Sequence, residues 1–250
     1  MSIISIIGVG PGAADLLTIR AVNKIKIADV VVWTDSLISP EIIQLVSRES
    51  ELISTSSLTL EEILPIMISK TKEGKKVVRL HDGDPCLYGA INEQIKLIEK
   101  ENIKVEIIPG ISAYQATAAA LKSELTIPEI TQTIVLCRAS GRTGTPERES
   151  LEKLAALKCS LCIYLSARHV KQVQKLLLKF YPPQTPLAIG YRVSWKDEWM
   201  TLTTIDQMEY ISRKEKLERT TIYIVSPALN KQNTRSNLYK KSHKHIFRPN

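Results

Sequence analysis

The stretch IISIIGVGPGAADLLT, residues 3–18, joins a short apolar run to a glycine-rich turn. Its first five residues are mostly isoleucine and predict a β-strand. The spacing of Gly8, Gly10 and Ala13 matches the G-x-G-x-x-G/A pattern of dinucleotide-binding loops, and Asp35 lies 22 residues beyond Ala13. The stretch therefore predicts a ligand-binding loop after a first strand, and it leaves the ligand open.

Strands and helices alternate through the first half of the chain. After the strand at 3–7, further strands are predicted at 29–34, 51–54, 77–80 and 105–108. Asp15 is the predicted N-cap of the first helix, and Thr59 and Glu62 form a capping box before a later one. This alternation is typical of a parallel sheet with helices on both faces.

The second half is also mixed, and the domain boundary is predicted near the stretch 115–130, which contains an alanine-rich helix and then a break at Pro128. Strands are predicted at 133–137, 161–165, 187–191 and 221–225, with antiparallel pairing towards the end. The predicted fold class is α/β, with an N-terminal domain over 1–114 and a C-terminal domain with a mixed sheet over 115–229.

Most of the net charge of +8 lies in residues 230–250, which contain six Lys and Arg residues and no Asp or Glu. The other 229 residues therefore carry only +2. The tail lacks apolar periodicity, and we expect it to be disordered. A basic tail could touch nucleic acid, although a solvated appendage is the more ordinary interpretation.

No apolar run reaches the roughly 18 residues of a membrane span, and the N-terminus lacks the features of a signal peptide. We expect a cytoplasmic protein. Cys159 and Cys162 form a C-x-x-C pattern inside a predicted strand, but no second Cys or His pair stands at zinc spacing. We therefore expect no metal site.

Three loops follow strands of the first half: GVGPGA (8–13), HDGDPCLYG (81–89) and PGISA (109–113). Open α/β sheets bind ligands outside the carboxyl ends of their strands. Any one of these loops could be a tight turn, but three at one sheet edge predict a shared ligand site. Pro11 has no backbone N–H, which disfavours a pyrophosphate at the first loop.

These loops, in this order, resemble those of the tetrapyrrole methylases, which use S-adenosylmethionine. The resemblance covers about residues 3–227. The longer segments TDSLISPE, RLHDGDPCLYGAINEQ, ELTIPEITQT, GRTGTPE and YPPQTPLAIGYRVSWKDE resemble the members that methylate precorrin-4 at C-11 in cobalamin synthesis. The resemblance implies two α/β domains with a cleft between them, a homodimer, and a tetrapyrrole substrate in a trough beside the cofactor.

The resemblance also implies a set of site residues. It places cofactor binding at Gly83, Asp84, Pro85, Ile111, Ser112, Ala113, Leu165, Tyr191, Thr220 and Thr221. It places Gly10, Pro11 and Gly12 on the substrate side, where the glycines would clear space for a flat macrocycle. Ala13, Cys86 and Gly144 depart from the residues common in the family, which weakens any acid–base role at position 13.

Methyl transfer from a sulfonium to an electron-rich ring carbon mainly needs alignment of the reactants. A substrate rich in carboxylates needs cationic partners, and the candidates are Arg79, Arg138, Arg142 and Arg192. The sequence does not identify a proton acceptor; His81 is a candidate, although a histidine at a strand end is more often structural. The alternatives are another precorrin position or uroporphyrinogen III, an NAD-dependent dehydrogenase, and an RNA methylase of the same fold.

Overall fold

The computed structural model describes residues 2–140 and 144–230. The chain divides into two compact units, Met1–Ala116 with Arg192–Glu198, and Thr117–Tyr191 with Trp199–Asn250. The segment 192–198 falls inside the C-terminal domain predicted from the sequence, yet it belongs to the first unit. The predicted disordered tail lies outside the described residues, apart from Asn230.

The first unit contains a five-stranded sheet in the order β3-β2-β4-β1-β5, and every pair in it is parallel. The strands are β1 (Ile3–Gly8), β2 (Val30–Trp33), β3 (Glu51–Ser54), β4 (Val77–His81) and β5 (Lys104–Ile108). The connecting helices are α1 (Ile19–Lys26), α2 (Pro40–Ile43), α3 (Leu60–Lys72) and α4 (Ile91–Lys100), and α5 (Ala113–Ala120) follows β5. The predicted parallel sheet is confirmed.

The helices of this unit cover both faces of the sheet. Residues of α1 and α2, such as Ile25 and Ile42, pack with Ile7 and Leu80. Residues of α3 and α4 pack with Ile4, Val32 and Val77 on the opposite face. The neighbours β1 and β4 therefore send their following helices to opposite faces, which opens a crevice at their carboxyl ends. Such a switch point is where open α/β sheets bind ligands.

The first helix begins later than predicted. A short 3-10 turn, Ala14–Leu16, follows the glycine loop, and α1 starts at Ile19. The hydroxyl of Thr18 accepts a hydrogen bond from the Ala21 N–H at 3.2 Å, so Thr18 caps the helix and the prediction of Asp15 was wrong. The capping box of Thr59 and Glu62 before α3 is confirmed.

The second unit contains a mixed five-stranded sheet in the order β6-β7-β10-β8-β9. Its strands are β6 (Ile134–Arg138), β7 (Ser160–Tyr164), β8 (Pro186–Tyr191), β9 (Trp199–Thr204) and β10 (Thr221–Val225). Only β6 and β7 pair in parallel, and the predicted antiparallel pairing towards the end is confirmed. The helices are α6 (Leu151–Ala155), α7 (Val170–Leu177) and α8 (Met208–Lys214), the last of which was not predicted.

One core holds this second sheet against its helices, with Tyr223 fully buried at its centre. Cys137, Cys159 and Cys162 are buried, and burial raises the pKa of Cys137 and Cys162 to about 12. Thiols in this state stay protonated at neutral pH. Within residues 2–140 and 144–230, no helix has both the length and the apolar character to span a membrane.

Candidate functional site

The loops after β1 and β4 are joined across the switch point. The N–H of Val9 donates to the carbonyl of His81 at 2.9 Å, and Gly10 and Gly83 exchange two backbone hydrogen bonds of 3.1 and 2.8 Å. Gly10 has φ +72° and Gly83 has φ +60°, a left-handed conformation that other residues adopt with strain. Both loops therefore depend on glycine to form this bridge.

The third loop enters the same place. A Cβ added at Gly110 would overlap the carbonyl oxygen of Gly83, and one at Gly8 would lie 2.6 Å from the Gly110 nitrogen. The carboxylate of Asp84 accepts hydrogen bonds from the N–H groups of Gly110 at 2.9 Å and Cys86 at 2.8 Å. The side chain of Asp84 thus fixes two loops, and its two oxygens are engaged within the protein.

The two predicted cofactor loops of the first unit lie side by side. A Cβ at Gly83 would stand 3.8 Å from the Cα of Ser112 and 4.0 Å from the carbonyl oxygen of Ile111. Ser112 is buried, and its N–H donates to the side-chain oxygen of Gln115 at 2.9 Å. The structure therefore brings 83–85 and 111–113 together at the carboxyl edge of the sheet.

The first glycine loop is poorly suited to cradle a dinucleotide, because three of its N–H groups are engaged within the protein. Those of Val9 and Gly10 donate to the β4 loop, and that of Ala13 donates to the hydroxyl of Ser194 at 2.9 Å. Pro11 has none, and helix α1 begins only at Ile19. This geometry disfavours the phosphate interpretation of Gly8, Gly10 and Ala13.

The segment Arg192–Glu198 packs on the predicted substrate residues of this loop. The indole N–H of Trp195 donates to the carbonyl of Pro11 at 2.9 Å, and a Cβ at Gly12 would overlap the Trp195 ring. Arg192 pairs with Asp197 and stands 5.0 Å from the centre of the Trp195 ring. The space beside Gly12 is therefore filled by an indole of the protein itself, which the sequence alone did not indicate.

Two basic side chains lie on one face of β4. Arg79 is only 7% exposed, and within the described residues its Nε and one Nη have no hydrogen-bond acceptor. Burial lowers the pKa of Arg79 to about 10. Burial, and then the charge of Arg79, lowers the pKa of His81 to about 4, so this imidazole is neutral at pH 7. A group with that pKa is a poor proton acceptor near neutrality.

A cavity of about 400 Å³ lies beside the turn Gly83–Pro85. Tyr88 and Ala90, which line it, both have positive φ. Pro85 is the predicted cofactor residue among its lining residues, which are Pro85, Cys86, Tyr88, Gly89, Ala90, Ile91, Asn92 and Glu93. The volume of the cavity falls in the range of ligand pockets. In the sequence, Gly89 between Tyr88 and Ala90 was the only sign of an unusual backbone at this place.

In the second unit, the predicted residues gather at one edge of the sheet. Tyr191, at the end of β8, pairs with Thr221 at the start of β10, and Leu165 follows the end of β7. Arg138 ends β6 at this same edge and donates to the carbonyl of Gly144. Leu165 and Thr220 have φ of +51° and +48°, although neither is glycine. Arg142 lies outside the described residues.

Strained left-handed residues cluster at functional sites more often than elsewhere, and Leu165 is also 67% exposed. The edge therefore presents an apolar side chain that packing does not explain. Within the described part of the chain, no group of three or more His, Cys, Asp or Glu residues is placed to hold a metal ion.

Comparisons with known proteins agree in pointing to one family. The model of the tetrapyrrole (corrin/porphyrin) methylases matches residues 4–209. Cobalt-precorrin-4 C(11)-methyltransferase of Priestia megaterium is 39% identical over 97% of this chain and 96% of its own length.

Solved structures of methyltransferases share the fold of this chain. The X-ray structure of a cobalt precorrin-4 methyltransferase aligns with a TM-score of 0.88 and 38% identity, over 92% of this chain and 96% of that one. A uroporphyrin-III C-methyltransferase of Thermus thermophilus, complexed with S-adenosylhomocysteine, aligns with a TM-score of 0.73 at 21% identity, over 90% of this chain and 98% of that one. The chain belongs to the tetrapyrrole (corrin/porphyrin) methylases.

Proposed function

We propose that this protein transfers a methyl group from S-adenosylmethionine to C-11 of precorrin-4 or its cobalt form, in corrin ring biosynthesis. The observation that carries the proposal is the 39% identity to a cobalt-precorrin-4 C(11)-methyltransferase over almost the full length of both chains. The switch point between β1 and β4, with three loops meeting on it, supports a ligand site in the first unit.

We place the cofactor against the main chain of Gly83–Pro85 and Ile111–Ala113. The residues fit such a group because the Asp84 carboxylate holds both loops, while Gly83 carries no side chain that would fill the space above Ser112. S-adenosylmethionine supplies a methyl group on a sulfonium, which is already an activated donor. Leu165, Tyr191, Thr220 and Thr221, at the edge of the second sheet, are the further proposed contacts.

The substrate would lie at the loop of Gly10, Pro11 and Gly12, with Arg192 and Arg138 among its cationic partners. Beside Gly12 it would meet the indole of Trp195, which fills the space that this glycine was expected, from the sequence, to leave clear. Both arginines have side-chain or backbone partners in the protein, Asp197 and Gly144 respectively, which hold them in place. Arg79 remains a candidate for a carboxylate, since a buried guanidinium with unsatisfied N–H groups is costly without a partner.

The reaction forms a carbon–carbon bond at the macrocycle and breaks the carbon–sulfur bond of the donor, and the macrocycle then loses a proton. The protein contributes mainly orientation, which can lower a barrier by about 7–11 kcal/mol. Burial lowers the pKa of His81 to about 4, which disfavours this imidazole as the base near neutral pH. Instead, the loops proposed above to bind the cofactor and the macrocycle hold these two reactants in line.

The test is to incubate the protein with labelled S-adenosylmethionine and precorrin-4, with and without cobalt, and to locate the new methyl by mass spectrometry and NMR. A methyl at C-11 is the expected result, and the faster of the two reactions identifies the substrate. Methylation at another position, or of uroporphyrinogen III instead, would overturn the assignment.

Calorimetry with S-adenosylhomocysteine and with NAD(H) separates this proposal from a dehydrogenase. We expect binding of the first only, because the N–H groups of Val9, Gly10 and Ala13 in the first glycine loop are engaged. We also propose a homodimer, which light scattering after gel filtration would test; a mass of 28.0 kDa in solution would refute it.

A further inference from the structure

The segment Arg192–Glu198 is an excursion of the chain. It leaves the end of β8, contributes to the first unit, and returns to start β9. An ordinary hairpin connection between antiparallel neighbours needs only a few residues and no such excursion. The seven residues of this segment therefore do more than join two strands, since they also form part of the first unit.

The segment is folded on itself. The N–H of Trp195 donates to the carbonyl of Arg192 at 2.9 Å, the N–H of Ser194 donates to the carboxylate of Glu198, and Arg192 pairs with Asp197. Arg192 and Ser194 have φ of +46° and +64° without being glycine. Strain of this kind persists where the surroundings impose it, often at functional sites.

The segment contacts the first glycine loop at consecutive positions. Trp195 donates to the Pro11 carbonyl at 2.9 Å, its ring covers Gly12, and the Ser194 hydroxyl accepts from the Ala13 N–H at 2.9 Å. Lys196 adds an ion pair of 3.4 Å with Glu41 of α2. The loop between Gly10 and Ala13 is thus held from one side by the Gly83 bridge and from the other by this segment.

The indole also holds a cation. The guanidinium of Arg192 stands 5.0 Å from the centre of the Trp195 ring, a cation–π distance. One side chain therefore orders both a glycine loop, which is entropically costly to fix, and an arginine suited to bidentate carboxylate binding.

We propose that Trp195 is a positioning residue for the tetrapyrrole: it sets the glycine loop 10–13 and Arg192 in the arrangement that receives the carboxylated macrocycle. This inference rests on the proposed function and goes beyond it by assigning the segment to substrate selection. Asp84 separately fixes the turn at 83–85 and the start of the loop at Gly110, and neither of its two hydrogen bonds involves the indole.

The test compares Trp195→Phe with the wild-type protein and with Trp33→Phe, a matched change in the same unit. Phenylalanine keeps a ring over Gly12 and Arg192 but removes the N–H donor to Pro11. We expect the KM for the tetrapyrrole to rise about two- to tenfold, the typical effect of one hydrogen bond, while the KM for S-adenosylmethionine and the Tm stay unchanged. Trp33→Phe should change neither KM.

A second experiment uses the contact between Gly12 and the indole. Gly12→Ala alone should lower kcat/KM by at least about tenfold, because the new methyl group overlaps the ring. In a Trp195→Ala background the same change should cost no more than about twofold, because the overlapping atoms are gone.

The outcomes are distinguishable. Absence of tetrapyrrole methylation by the wild-type protein would refute the proposed function, and this inference with it. Methylation with an unchanged tetrapyrrole KM in Trp195→Phe would refute the inference alone. An equal rise in both KM values with a lower Tm would show that Trp195 only supports the fold. Additive effects of Gly12→Ala and Trp195→Ala on kcat/KM would show that the indole does not act through the glycine loop, and would also refute the inference.

Discussion

At the carboxyl edge of the first sheet, Gly8, Gly83 and Gly110 pack backbone against backbone, and one carboxylate, Asp84, fixes the crossing. At the edge of the second sheet, Leu165 and Thr220 adopt left-handed conformations although neither is glycine, and Leu165 remains exposed. The first edge is a main-chain platform that leaves no room for a side chain at Gly8 or Gly110. The second presents side chains whose loss should affect a ligand more than the fold.

The largest effect that this comparison predicts is at Gly110. Gly110→Ala would drive a methyl group into the carbonyl oxygen of Gly83, with no flexible side chain to yield. We expect the free energy of unfolding to fall by about 3–5 kcal/mol and the Tm by about 10 °C. Urea unfolding and calorimetry would measure both.

Gly74→Ala is the control for this change. Gly74 has φ +82°, but no described atom lies within 4 Å of an added Cβ, so only left-handed strain of about 1–2 kcal/mol should appear. Equal losses in the two variants would contradict a crowded platform at the switch point.

The next effect is on pH dependence and comes from His81. Burial places its folded-state pKa near 4, below the ordinary 6.5, so the unfolded chain binds more protons between these values. Stability should therefore fall as pH falls from 6.5 to 4, by about 3 kcal/mol from this group alone. Because glutamine does not titrate, the free energy of unfolding of His81→Gln should fall by about 3 kcal/mol less than that of the wild type between pH 7 and pH 4.

Denaturant unfolding of both proteins at several pH values would give this difference. His169→Gln, in the second unit, keeps His81 intact and should retain the steep loss. A difference near zero between wild type and His81→Gln would mean that the imidazole is solvated enough to take its proton in the folded state.

Asp84→Asn should have a smaller effect on stability than the changes at Gly110 and His81. The amide replaces one accepting oxygen with a donor, so either the Gly110 or the Cys86 N–H loses its partner. We expect about 2 kcal/mol of lost stability, together with an affinity for S-adenosylhomocysteine that is about tenfold weaker because both cofactor loops loosen. Calorimetric titration would measure the second effect.

Asp29→Asn provides the comparison. The Asp29 carboxylate also accepts a backbone N–H, from Lys76 at 2.7 Å, but it precedes β2 and so lies at the opposite edge of the sheet. Asp29→Asn should lose stability while keeping its affinity for S-adenosylhomocysteine. Weakened binding in both variants would mean that the effect is not local to the cofactor loops.

These contrasts also mark what the sequence could predict. The central strands β1, β2 and β4 are mostly apolar because both of their faces are covered, so their composition revealed them. The three glycine loops also stood out from local sequence, because glycines and prolines follow closely on the strand before each loop. Helix α8 was missed, since Met208 and Ser212 are its only fully buried residues and the rest of it is polar or half exposed.

Local sequence patterns could not predict contacts between residues that are far apart in the chain. Trp195 and Pro11 are 184 positions apart, and nothing near Gly12 indicated that an indole fills the space beside it. The burial of Arg79 and the low pKa of His81 likewise arise from packing on one face of β4. Family resemblance selected Tyr191 and Thr221 together, and the pairing of β8 with β10 supplies the physical reason that they are neighbours.

The smallest predicted effect is at the second edge and tests the other half of the comparison. Leu165 is 67% exposed, so Leu165→Ala should change the free energy of unfolding by no more than about 0.5 kcal/mol. If the side chain covers bound cofactor, its truncation should weaken S-adenosylhomocysteine binding about three- to tenfold, the effect of losing partly buried apolar surface. Leu157→Ala is matched in type and exposure, at 60%, but precedes β7 and lies at the opposite edge. Unchanged affinity in both variants would show that the left-handed Leu165 belongs to the local turn and not to the ligand site.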